Sequence, residues 1–171
     1  VTEAKIIELE EIVEGEDLFR SSGYSYIKVT RNGEVEKLKV PIQSTGIAEL
    51  VDSFSEKAPK PPIIDELAKP DNQIGKDLGV TKSEWVKIPD YSDETYLQAK
   101  EKHESDLGIA IVLKGITFRI KDKEGNEVTD SNKKVDIMRS MGMSGDQFSQ
   151  IVEDIQNLTR WTEEERENFL E

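Results

Sequence analysis

Arg31-Asn32-Gly33 separates two runs of alternating side chains, Tyr24-Ser25-Tyr26-Ile27-Lys28-Val29-Thr30 and Glu34-Val35-Glu36-Lys37-Leu38-Lys39-Val40. Asn and Gly reach the left-handed angles of a two-residue turn at little steric cost, so the spacing predicts an antiparallel hairpin. Beyond it, Ile47, Leu50, Val51 and Phe54 recur at helical spacing behind a capping Ser44 or Thr45, and the helix should end near Lys57. Ala58-Pro59-Lys60-Pro61-Pro62 cannot extend it, because proline has no amide hydrogen and pushes its predecessor toward extended angles. Upstream, Ile6, Ile7, Leu9, Ile12 and Val13 form a loose stripe within residues 2–13 that fits either a helix or a charged arm.

Residues 63–91 mix Ile63, Ile64, Leu67, Ile74, Leu78, Val80, Trp85, Val86 and Ile88 with Pro70, Gly75, Gly79 and Pro89 and show no clear period, which predicts an irregular strap. Thr81 and Glu84 have the spacing of a capping box for a short helical turn. Ser92 is the expected cap of a long helix carrying Tyr96, Leu97, His103 and Leu107, then the nearly continuous apolar run Ile109 to Ile116, which should be deeply buried. The β-branched residues in Ile109 to Leu113 keep a strand open there. Thr117 to Ile120 and Glu127 to Thr129 flank a turn, either as a small second hairpin or as a loop with strand-like arms. Three helices follow: one from Asp130 or Ser131 to Gly142, one capped by Ser144, and one opened by a Thr162–Glu165 capping box, whose Phe169 and Leu170 are expected to close the bundle.

The expected fold is therefore α+β: a small N-terminal hairpin and helix over residues 1–58, a Pro-rich strap over 59–91, and a mainly helical part over 92–171. A net charge of −13, from 36 acidic against 23 basic side chains, argues against a phosphate-backbone partner. Acid concentrates at the ends, with seven acidic and two basic side chains in residues 1–20 against five and six in residues 21–60. An apolar content of 35% and a mean hydropathy of −0.60 predict a modest core with parts that order on a partner. No apolar run is long enough for a membrane span, no secretory pattern opens the chain, and cysteine is absent, so a cytoplasmic protein is expected.

No catalytic constellation stands out. His103 has no second ligand at metal-binding spacing and reads as a surface or packing histidine. Asp122 to Glu127 has carboxylates and a glycine, yet Gly125 comes three residues after Asp122 rather than five. Lys133 stands where a calcium loop needs glutamate, so a turn is expected. Gly75-Lys76 and Gly142 to Gly145 lack the phosphate-loop spacing. No catalytic, cofactor or metal site is expected. Trp85 fits packing of the strap or a partner contact, and Met138, Met141 and Met143 fit a core or an adaptable binding face. With Ile151 and Ile155 on the following helix, they are the candidate partner-binding residues.

Several blocks stand in a characteristic order: Pro61-Pro62; Ile74-Gly75-Lys76-Asp77-Leu78-Gly79; Glu84-Trp85-Val86-Lys87-Ile88-Pro89-Asp90-Tyr91-Ser92-Asp93; Ile111-Val112-Leu113-Lys114-Gly115-Ile116; Met141-Gly142-Met143-Ser144-Gly145; Gln150-Ile151-Val152-Glu153-Asp154-Ile155; and Leu158-Thr159-Arg160-Trp161-Thr162-Glu163-Glu164. This order resembles the tail assembly chaperones of long-tailed phages and prophages over the last two thirds of the chain. The resemblance implies a non-enzymatic protein that binds the tape-measure protein, presents it to the major tail protein, works in the bacterial host cytoplasm and is absent from the mature virion. It leaves self-association open. A structural tail or head-tail component is the alternative, and an acidic hydrolase using two of the many carboxylates is a more distant one.

Overall fold

The computed structural model describes residues 4–161 and 163–170. In chain order the elements are strands β1 (Ser22–Arg31) and β2 (Glu34–Gln43), helix α1 (Ile47–Glu56), strand β3 (Ile63–Ala68), helix α2 (Gln73–Leu78), strand β4 (Glu84–Pro89), and helices α3 (Glu94–Gly115), α4 (Ser131–Ser140), α5 (Gly145–Asn157) and α6 (Glu163–Leu170). The chain is mixed α+β with a helical C-terminal part. It divides into two compact units, residues 1–48 with 112–171 and residues 49–111, so the boundaries fall inside α1 and α3. The three consecutive segments expected from composition differ from this, because proline and charge mark chain direction but not which distant segments pack together.

In the first unit β1 and β2 pair antiparallel in the register Arg31↔Glu34 to Ser22↔Gln43. Asn32 at φ 51° and Gly33 at φ 83° make the expected turn. Ser25, Ile27 and Val29 share one face with Leu38 and Val40, while Tyr24, Tyr26 and Lys28 point the other way. Helix α5 packs against β1 and buries Ile151 and Ile155. The buried Ser25 hydroxyl donates to Asp154 Oδ2 at 2.6 Å. Gln43 is also buried; its Nε2 donates to the Lys114 carbonyl at 2.9 Å, near the end of α3. That bond satisfies one of the carbonyls a helix leaves unpaired at its C-terminus. The chain leaving α3 bridges Ile116 to Ile42, and the Thr117 amide donates to the Pro41 carbonyl at 3.1 Å. Ile120, Val128 and Met138 then form a core cluster with Leu113, Ile116, Ile137, Met143 and Phe148.

Asp130 caps α4, accepting from the Lys133 amide at 2.8 Å. Ser144 and Gln147 form a reciprocal capping box at the start of α5. Of the two readings of residues 117–129, the loop is found: its arms meet in one bridge, Lys121↔Glu127, around a turn in which Asp122 Oδ1 accepts the Glu124 and Asn126 amides. Residues 4–13 form no helix; they are an irregular exposed arm, since their apolar stripe meets no surface to bury it. Residues 1–3 and Thr162 lie outside the described residues, as do the side chains of Phe169 and Leu170.

In the second unit the strap is regular: β3 pairs antiparallel with β4 in the register Ile63↔Pro89 to Ala68↔Glu84, and α2 fills the connection. Asn72 secures the β3–α2 turn by accepting the Lys69 and Gly75 amides at 3.0 and 2.8 Å and donating to the Leu67 carbonyl at 2.9 Å. Gly75 is buried against the Lys69 backbone, leaving no room for a Cβ. Gly79, at φ 68°, closes α2 in a left-handed cap, with the Val80 amide returning to the Gly75 carbonyl at 3.0 Å. Thr81 to Glu84 form no helical turn, because Glu84 opens β4. Asp93 caps α3 in place of Ser92: its carboxylate accepts the Tyr96 amide at 2.8 Å, while Ser92 hydrogen-bonds back to Asp90. The β-branched run Ile109 to Leu113 is helical, with Ile111 and Val112 buried, so burial overrides its strand propensity.

Candidate functional site

Hairpin twist and helix ends build one groove, entirely within the first unit. One wall is the outer half of the hairpin's inner face, Ile27, Val29, Leu38 and Val40; the other comes from Phe118 to Lys121 and the α4–α5 junction. Ile27, Met138 and Ile151 form a buried floor, whereas Leu38 at 45% and Met141 at 81% exposure leave the mouth open. Its volume is about 480 Å³, within the range of roughly 300–1,000 Å³ typical of binding pockets.

The α4–α5 junction places the methionines. Gly142 takes φ 95°, which lets the chain reverse after α4, and the Met143 amide donates to the Met138 carbonyl at 3.2 Å. Gln147 ties the junction to the hairpin, donating from Nε2 to the Lys28 carbonyl at 2.9 Å. Methionine side chains are flexible and polarisable, so Met141 and Met143 above the buried Met138 can conform to varied apolar shapes.

Charge at the groove is opposite to that of the chain. Arg31, Arg119 and Lys121 line it and no carboxylate does. Arg31 pairs with Glu36 at 3.1 Å. Among the described residues neither Arg119 nor Lys121 has a carboxylate within the 4.0 Å of an ion pair. The lining holds no histidine, hydroxyl or carboxylate; its polar side chains are Arg31, Arg119, Lys121 and Gln147.

Of the sequence candidates, the groove brings together Met138, Met141, Met143 and Ile151. Ile155 turns away into the core, where its side chain packs on Gly115 of α3. Trp85 belongs to the other unit, 71% exposed on β4 opposite Leu67, so it does not fasten a strap. His103 is a packing residue: its Nε2 donates to the Phe54 carbonyl at 2.8 Å and its ring lies 5.5 Å from that of Phe54. No group of three metal-ligating side chains occurs among the described residues. No described helix is long and apolar enough to cross a membrane.

Sequence reasoning missed the hairpin wall and the basic rim. The turn at Asn32-Gly33 already pairs Ile27 with Leu38 and so sets both on one face; the rim needs Arg31 and Arg119 brought together across 88 residues, for which no local signal exists. Comparison of the chain with protein-family models, curated proteins and solved structures finds no match.

Proposed function

We propose that this chain is a non-enzymatic tail assembly chaperone of the long-tailed phage type. It binds the tape-measure protein in the bacterial host cytoplasm, hands it to the major tail protein and is left out of the finished virion. The observation that carries the reading is the open Met-walled groove with a basic rim. A tape-measure chain is long and helical, and its apolar seams need cover until the tail tube surrounds them. A helix laid in the groove would place apolar anchors at i, i+3 and i+4 against Met138, Met141 and Leu38, with acidic flanks meeting Arg119 and Lys121. Many weak sites along one client gain avidity.

The test is co-expression with the tape-measure protein of the same gene cluster, followed by affinity capture. The wild type should yield a soluble complex of many copies per client, and Met141→Glu, at an exposed position, should lose capture while keeping the wild-type circular dichroism. Capture undiminished by Met141→Glu would refute the groove as the client site. A second reading, a structural tail or head-tail component, draws on the β3–β4 hairpin, whose exposed Trp85 and Ile63 share one face. Mass spectrometry of purified particles separates the two, since a chaperone should be missing from them.

A further inference from the structure

The N-terminal arm carries several large apolar side chains that the fold leaves uncovered. Ile6 is 84% exposed, Ile7 73%, Leu9 56% and Ile12 66%, and the hydrogen bonds of this region are short turns, Glu16 to Val13 and Arg20 to Asp17. Large apolar side chains carried together on a defined segment mark an interaction element. In extended backbone, Ile7, Leu9, Glu11 and Val13 fall on one side of the arm, while Glu8, Glu10 and Glu14 fall on the other with Ile6 and Ile12.

The groove has the complementary pattern, an apolar trough whose lining includes Arg31, already paired with Glu36, and the two cations Arg119 and Lys121. Residues 4–20 carry Glu8, Glu10, Glu11, Glu14, Glu16 and Asp17 against Lys5 and Arg20. On a chain of net charge −13, an apolar site bordered by Arg119 and Lys121, neither in an ion pair among the described residues, selects apolar segments flanked by carboxylates. Ten extended residues reach about 33 Å. Within one chain the arm stays off its own groove: Leu38 and Met141 at the mouth and Ile6 to Ile12 on the arm are all exposed together.

We propose that the arm of a second copy seats in this groove, with Ile7, Leu9 and Val13 against the Met-walled trough and the arm's glutamates at Arg119 and Lys121, so that the protein self-associates by arm exchange. The inference uses the groove that the functional reading assigns to a client, but not the client's identity. Failure of tape-measure capture with self-association intact would therefore remove the functional reading and leave this one standing.

The experiment is sedimentation velocity on the full chain over a concentration series, with two full-length variants. Ile7→Asp with Leu9→Asp disables the arm, and Met141→Glu with Arg119→Glu disables the groove; all four positions are exposed, so folding is checked by circular dichroism and should be unchanged. The wild type should associate with concentration, and each variant alone should associate at least about tenfold more weakly, ~1.4 kcal/mol. An equimolar mixture of the two should recover a complex, because one copy keeps an intact groove and the other an intact arm. A synthetic peptide of residues 4–20 should compete with the wild-type complex. A wild type that stays monomeric at every concentration, including one whose arm folds onto its own groove, would overturn the proposal. So would association that neither variant weakens, or variants that fail to complement each other.

Discussion

The contact between Ser25 and Asp154 fixes the β1–α5 seam on which the groove floor rests, and its energetics are asymmetric in a way that can be measured. Ser25 is fully buried, and its hydroxyl donates at 2.6 Å to a carboxylate that also accepts from Gln150 Nε2 at 3.0 Å. Asp154→Ala removes the acceptor and strands the hydroxyl where water does not reach, which costs about 2–3 kcal/mol: the charge-assisted bond plus the desolvation of an orphaned group. Ser25→Ala removes only the donor. Asp154 is half-buried and keeps Gln150 and solvent, so that cost should be about 1 kcal/mol. In the double variant no orphan remains, and its cost should fall below the sum of the singles by about 1 kcal/mol. Urea unfolding followed by circular dichroism measures all three, provided the denaturant slope is unchanged. A harmless Asp154→Ala, a Ser25→Ala worse than Asp154→Ala, or strictly additive costs would refute the reasoning.

Gly115→Ala would drive a Cβ into Ile155, to within 2.9 and 3.0 Å of its Cγ1 and Cγ2, and should cost about 1–3 kcal/mol in urea unfolding. Ile155→Val in that background should recover part of the loss, because Cδ1 is the atom approached most closely. Asn72→Ala should cost about 1–2 kcal/mol, and amide exchange should quicken at Lys69 and Gly75, whose amides lose their acceptor, with no change at Ile151 or Ile155. Trp85→Ala should move the thermal midpoint by no more than the equivalent of about 0.5 kcal/mol, since its side chain is mostly in water; a larger drop would mean that Trp85 packs more tightly than its exposure implies.

Local chemistry was legible wherever a few adjacent residues suffice. Asn32-Gly33 specified the hairpin, Asp130 and Ser144 announced their helices, and the single histidine without a partner read as packing. The strap was misread because its regularity lies across the register Leu67↔Trp85 rather than along the chain; Gly79 closes α2, but with Pro70 and Gly75 it read as a sign of irregular chain, and the capping role of Asn72 was not read at all. The same limit applies to the groove. Its methionines cluster in sequence, whereas the wall from Ile27 and Leu38 and the rim from Arg31, Arg119 and Lys121 exist only once β1, β2 and the segment between α3 and α4 have packed.

Charge gives the groove a test that does not depend on any substitution. Copies of a chain at −13 repel one another, and salt relieves that repulsion, so nonspecific association should increase as ionic strength rises. Docking of an acidic arm on Arg119 and Lys121 depends on close attraction between exposed charges, and the same salt weakens it. The two processes therefore respond with opposite sign. Raising salt from about 50 mM to about 500 mM shortens the screening length to a few ångströms, and arm exchange should then loosen although the net repulsion has been removed. Light scattering of the wild type across this range measures the sign. A complex that tightens with salt would be held by apolar burial alone and would leave the basic rim without a role in choosing what the groove binds.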